Sequence, residues 1–268
     1  MTAPAGPASP GDPGRVAFRP NWTARLGWVL LALYVIYAAG QLGFAPERFA
    51  SGLSHGRQFL TRMFPPNFSR WELIQSGIVE SLQIAVIATV IGIALALPIG
   101  FLAARNLMPP WVTWPARALI ALCRSFHPII VAILFVKAIG FGALAGVMAL
   151  IVASIGFIAK LFAEAIEEIS LKQVEAVRAT GAGFLSVLIM GVQPQVLPRF
   201  IGFATYQLDS NLRNSTMVGI VGGGGIGATL FTAYQRFDFD VVLAILIVIV
   251  GLIMVAEIVS GWARKVFQ

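Results

Sequence analysis

The chain has 268 residues, of which 58% are hydrophobic and only 12% charged, with a formal net charge of +7 and a mean hydropathy of +0.84. Soluble domains carry roughly a quarter charged residues, so this chain lacks the polar surface that water demands, and its solvent is lipid. The single Cys123 excludes an internal disulfide and any multi-cysteine metal centre. The basic residues are scattered between apolar runs, which argues against nucleic acid as a partner.

Residues 1–24, rich in Pro, Gly and Ala at their start, read as a flexible cytoplasmic tail. The apolar stretch at 25–46 is longer than the 7–15 residues, roughly, of a signal-peptide core. At about 1.5 Å per residue it crosses a hydrocarbon layer of about 30 Å, so it is expected to stay as a first transmembrane helix. Residues 47–77 are polar and broken by Pro65 and Pro66, and read as an extracytoplasmic segment. Within it Phe59, Leu60, Met63 and Phe64 recur at helical spacing, which suggests a short amphipathic helix on the membrane surface.

Residues 78–268 read as a five-helix core. Spans are expected at 81–104, 117–137, 138–159, from near Leu197 onward, and at 241–261. Arg124 and Lys137 interrupt the third, and His127 precedes Pro128, where a helix kinks. The stretch 160–193 is too charged for lipid and belongs to a connecting loop taken as 160–198. The expected fold is therefore all-α, a polytopic helical membrane protein with about six transmembrane helices. Lys and Arg are more frequent on the side shared by the two ends of the chain, which places both termini in the cytoplasm and that loop with them. His55 and His127 are too far apart to pair on a metal, and no metal site is expected.

Inside the charged loop the chain reads E-A-V-R-A-T-G at 175–181, then nine residues, then G-V-Q-P ending at Pro194. This resembles the signature loop of ABC-importer permeases: Glu-Ala-Ala, three residues, Gly, nine residues, Ile, one residue, Leu-Pro. Val177, Gly191 and Gln193 depart from it. Ser170 is a plausible N-cap and Gly181 a C-terminal break. Residues 171–180 thus make a short helix in which Ala176 and Ala179 permit close contact while Glu175 and Arg178 project outward. The resemblance makes Glu175, Ala176, Arg178, Gly181 and Pro194 the ATPase-coupling residues. M-F-P-P-N-F-S-R-W at 63–71, S-L-Q-I-A-V at 81–86 and N-L-R-N-S-T-M-V-G-I-V-G-G-G-G-I-G at 211–227 look like the phosphonate, phosphite and phosphate branch, a relative of the methionine importers. That resemblance implies the type I ABC importer permease fold with a cytoplasmic coupling helix, a cytoplasmic ABC ATPase dimer, an extracytoplasmic substrate-binding protein and a second permease copy, in a bacterial inner membrane. The chain contains no G-x-x-x-x-G-K-[ST], so no cofactor is expected here, and ATP with its Mg is expected on the partner ATPase. No catalytic residues are expected.

From Tyr206 to Thr216 the fifth span turns polar. Charges at such depth face a partner helix or a water-filled path. Asp209 and Arg213, four apart, suit a packing pair. Equally, Asp209, Arg213, Asn214, Ser215 and Thr216 suit a translocation path, since a guanidinium fork and neutral donors match a tetrahedral oxyanion. Gly222, Gly224 and Gly227 satisfy G-x-G-x-x-G, but that motif binds dinucleotides only between a strand and a helix. Gly222, Gly223, Gly224, Gly225 and Gly227 instead read as an external gate loop, or simply as a close-packed turn. A different class, an ion-coupled secondary transporter, would rely on Asp209 and Glu257 as its only deep acids. An intramembrane enzyme finds no H-E-x-x-H motif.

Overall fold

The computed structural model describes residues 22–43 and 46–267. Of the expected tail at 1–24, residues 1–21 lie outside the described residues, and the remainder belongs to helix α1 (Trp22–Gln41). Every regular element among the described residues is helical. They fall into two compact units divided between Leu60 and Thr61.

In the first unit α1 is apolar on all sides and buries none of its residues, as befits a helix whose surroundings are lipid. Helix α2 (Pro46–Met63) is amphipathic, with Phe49, Leu53 and Leu60 exposed on one face.

The second unit is a bundle built on α3 (Trp71–Ala103), α4 (Pro110–Ser125), α5 (Pro128–Ile139), α6 (Ala143–Glu167), α9 (Gln193–Val218), α10 (Gly225–Gln235) and α11 (Phe239–Phe267). Between α6 and α9 lie two short helices, α7 (Leu171–Ala179) and α8 (Phe184–Val187), and a π-helical turn at Leu188–Val192. Among the described residues, α1 included, five stretches are long and apolar enough to cross a membrane, six if α4 and α5 count as one broken span. The all-α, roughly six-span architecture read from the sequence is the one observed.

Small residues set the closeness of the central pair. A Cβ on Gly92 of α3 would lie 2.4 Å from Ser154 Cβ of α6, and one on Gly100 would lie 2.8 Å from Phe162 Cδ1. Without a hydrophobic effect between helices in lipid, such close backbone approach is what makes dispersion effective. Around that pair Ile84, Val131, Leu150 and Val218 close one core cluster, and Ile120, Ile158 and Ala163 another.

The third and fourth spans differ from their sequence-based limits, each for a local reason. The third is two helices, α4 and α5, bent by 89°. His127 is extended (φ −67, ψ 141) and Pro128 opens α5, because the ring of a proline disfavours helical geometry in the residue before it. The fourth begins at Ala143 rather than 138, since Gly140 and Gly142 adopt φ of 96° and 133°, closed to side-chain-bearing residues. It then continues to Glu167, so Lys160, Glu164 and Glu167 lie on α6 and not in a loop. Lys160 and Glu164 pair along that helix at 3.4 Å.

The F-P-P-N segment closes the opposite end of the bundle. Asn67 donates its side-chain amide to Asp240 Oδ2 (2.8 Å) and its backbone N–H to the Asp240 carbonyl (3.1 Å), while Arg70 pairs with Asp238 at 2.9 Å. This ties the start of α3 to the corner between α10 and α11. Met63, Ile74, Ile226 and Ile245 form the apolar cluster beneath that corner.

Candidate functional site

The residues singled out in the sequence fall in two places: the α7 end of the bundle, and α9 with its junction to α10. At the first, α7 buries Val174 against Ile166, Val187, Val192 and Val196. One inward residue per turn leaves Glu175, Ala176, Arg178 and Ala179 exposed on the other face. Gly181 stands just past the helix at φ 77° with nothing within 4 Å of a built Cβ, so its glycine is required by backbone conformation and not by crowding. Ser170 occupies the N-cap position, but its side chain makes no cap bond. Gln195 ties this end of α7 to α9. Its Oε1 accepts from Ser170 N–H (3.0 Å), and its Nε2 donates to the Gly191 carbonyl (2.6 Å).

Gly191, a departure from the permease signature, has a packing reason. A Cβ there would sit 3.3 Å from Val174 Cα, so the π-helical turn rests directly on α7. Pro194 lies exposed in the first turn of α9, where its missing N–H costs nothing. Further ties hold the platform to the bundle. Arg117 Nη2 donates to Glu167 Oε1 (2.6 Å), Asn106 donates to the Ile166 carbonyl (2.7 Å), and Arg199 pairs with Glu168.

At the second place, α9 presents two polar faces about 200° apart. On one, Arg213 Nη2 donates to Asp209 Oδ2 at 2.8 Å, the arginine side chain 56% exposed and the aspartate only 13%. Asp209 also lines an otherwise largely apolar groove of about 330 Å³ beside Leu82, Val86, Leu252 and Val255. Thr216 is half-buried, and Asn214 reaches Ser210 Oγ only at 3.4 Å. Ser215 departs from the expected set. It is fully buried and its hydroxyl donates to the Leu212 carbonyl (2.7 Å), so it faces the core and not the surface that carries Arg213.

The core face holds a polar cluster that the sequence reading missed. Asn211 Nδ2 donates to Thr89 Oγ1 and to Ser154 Oγ, both at 2.9 Å. Gln207 Nε2 donates to Ser154 Oγ (2.9 Å) and to Asn211 Oδ1 (3.0 Å). One side-chain cluster thus joins α3, α6 and α9 inside the bundle. The visible signal was the pair of amides four apart in α9, with Ser215 four further on. We predict that Asn211→Ala lowers stability by roughly 0.6–1.7 kcal/mol, the range of interhelical hydrogen bonds in bilayers. Thermal unfolding of the purified protein checks this, and an unchanged midpoint would count against the cluster as a brace.

Beyond α9 the chain makes a π-helical turn, Gly219–Gly223, and breaks at Gly224 (φ 79, ψ −171) into α10. The Gly222 carbonyl accepts from Gly142 N–H (2.9 Å), and Ser81 Oγ accepts from Ile226 N–H (2.9 Å). Gly223, Gly224, Gly225 and Gly227 are buried and Gly222 half-buried. The turn is therefore close-packed. It borders an open cleft of about 770 Å³ lined in part by Glu80, Phe141, Gly142 and Gly222. Helices flank it on both sides, so the strand that a dinucleotide fingerprint needs is missing at this site.

The second unit thus holds a broken span, a braced exposed helix between α6 and α9, and a polar span ending in a glycine turn. The profile of the family described as "Binding-protein-dependent transport system inner membrane component" matches residues 96–267. The chain belongs to this family. It is 46% identical over 207 residues to the "Phosphate-import permease protein PhnE" of Mycolicibacterium smegmatis, covering 76% of this chain and 39% of that relative. The "Phosphite transport system permease protein PtxC" of Stutzerimonas stutzeri is 37% identical, over 92% of this chain and 91% of the relative. The chain thus spans well under half of the first relative and nearly all of the second. Among solved structures, an inward-facing form of the MetNI methionine ABC transporter matches with a TM-score of 0.65 and 25% identity, covering 75% of this chain and 99% of that one. The protein is a multi-pass membrane permease with the fold of ABC-importer permeases.

Proposed function

We propose that this permease carries a small phosphorus oxyanion (phosphonate, phosphate or phosphite) into the cytoplasm as the membrane subunit of an ABC importer. The observation that carries the reading is α7, a helix whose polar face is free while its apolar face and its N-terminal end are tied to the bundle. In this reading a cytoplasmic ABC ATPase pair, which holds ATP and Mg, grips Glu175, Ala176, Arg178 and Pro194, and this chain supplies no cofactor. Both termini then lie in the cytoplasm of a cell with an inner membrane. The glycine turn faces outward as a gate beside the docking place of an extracytoplasmic substrate-binding protein, and a second permease copy completes the path. ATP binding draws the coupling helices together, the paired permeases open outward to receive the cargo, and hydrolysis resets them. That is alternating access by rigid-body motion. The names of the relatives support the oxyanion class.

The ion-coupled alternative is weakened at its best acid. Asp209 already has a counterion at 2.8 Å, and Glu257 is exposed on α11.

The test is co-purification of the permease with its ATPase. Gly181→Val, which strains the left-handed exit of α7 without a clash, and Glu175→Ala should each reduce recovered ATPase and uptake at least about tenfold, a loss near 1.4 kcal/mol. Full retention of both in the two variants would sink the coupling assignment.

A further inference from the structure

A second charged feature lies away from α9, in a cleft of about 200 Å³ between α3, α4 and α6. Its walls carry Arg117, Arg124, Lys160 and Glu164 over the small residues Ala103 and Ala163. Three cations against one carboxylate leave a net charge of +2 on the lining. Two of the cations are already engaged. Arg117 donates to the Ala103 carbonyl (2.9 Å) and to Glu167, and Lys160 sits 3.4 Å from Glu164. Arg124 has no acidic or hydrogen-bonding partner among the described residues.

Packing fixes where Arg124 can reach. Its stem crosses Gly156, where a Cβ would lie only 2.8 Å from Arg124 Cγ. Gly156 precedes Lys160 by one turn of α6, about 6 Å along the helix. Both Arg124 and Lys160 have long stems that reach from there into the cleft. The cleft has the volume of several waters, at about 30 Å³ each, enough for one tetrahedral anion. A guanidinium fork with an ammonium beside it is the donor set that suits phosphate oxygens, and basic pockets between membrane helices hold phospholipid headgroups.

We propose that Arg124 and Lys160 bind one phosphorus oxyanion group in this cleft, supplied by an anionic phospholipid or by the free anion in transit. The free-anion source rests on the proposed cargo class, and the lipid source is independent of it.

The experiment has two arms on the full-length permease. In the first, protein purified with its native lipids is weighed by native mass spectrometry to count retained phosphatidylglycerol. In the second, protein in nanodiscs of phosphatidylcholine alone is equilibrated with radiolabelled inorganic phosphate. Arg124→Gln and Lys160→Gln should each weaken binding at least tenfold in one arm, with Arg124→Lys retaining most of it and Arg236→Gln, at an exposed position on the far side of the bundle, unaffected. Loss in the lipid arm assigns the site to a headgroup, and loss in the phosphate arm assigns it to the free anion. Wild-type binding by both glutamine variants in both arms overturns the site. Should Arg124→Gln not fold, Lys160→Gln decides alone. Uptake by the reconstituted wild-type transporter separates the two proposals. A site that binds in a transporter importing no phosphorus oxyanion refutes the cargo reading only, and normal oxyanion uptake without a site refutes the site only.

Discussion

Gly227→Ala should be among the most damaging single-methyl changes in the protein, lowering stability by about 3 kcal/mol, the upper end of the usual overpacking range. The added Cβ would lie 1.9 Å from the Thr216 carbonyl oxygen and 3.0 Å from Gly219 Cα. All of these are backbone atoms, so no side chain can swing aside to make room. The first turn of α10 sits directly on the last turn of α9, and separating them would pull Ile226 N–H off Ser81 Oγ. For a chain of this size that loss corresponds to a fall of roughly 6–12 °C in Tm. Gly251→Ala in α11 is the contrasting control, because nothing lies within 4 Å of a Cβ there. It should be neutral or raise stability by up to about 1 kcal/mol through helix propensity. Thermal unfolding of the two variants in the same detergent makes the comparison. Equal midpoints would mean that the α9–α10 contact is looser than described.

The second large effect is expected at Asp209 and Arg213, where a double-mutant cycle separates packing from transport. Arg213→Ala leaves Asp209, 13% exposed, without a counterion beside an apolar groove. The expected cost is about 1–2 kcal/mol, below the ~3–5 of a fully buried broken pair, because the guanidinium is itself half exposed. Adding Asp209→Asn should restore most of that stability, since no lone charge remains. If Arg213 lines the path as proposed, uptake should fall at least tenfold in Arg213→Ala and stay low in the double variant, because the exposed guanidinium is then the group offered to the anion. Uptake that recovers together with stability would reduce the pair to a packing device and remove Arg213 from the path.

How far the site was legible varies residue by residue. Helix α7 was readable almost to its ends, because Gly181 marks its exit and Val174 and Val177 are the only apolar residues that its inner face needs. The closure of the same helix was not readable. Gln195 lies 25 residues from Ser170, and nothing in the spacing announces that a side chain of α9 takes up the Ser170 N–H. Ser215 was misplaced for a similar reason. Composition marks 206–216 as polar, whereas the rotation of α9 decides which of those residues meet α3 and α6 and which meet the surface.

Membrane residence, the number of spans and the position of the charged platform were determined by the sequence alone, because hydrophobic length and charge are summed locally and need no partner. The kink at Pro128 belongs with them, since it follows from the geometry of one dipeptide. The tertiary structure decided what depends on two distant segments meeting: the Asn211 cluster across three helices, the burial of the glycine turn against α3 and α6, and the presence of Arg124 and Lys160 in the lining of one cleft. The opening observation, too few charges for water, therefore identified the solvent. Where the remaining charges gather was set by packing.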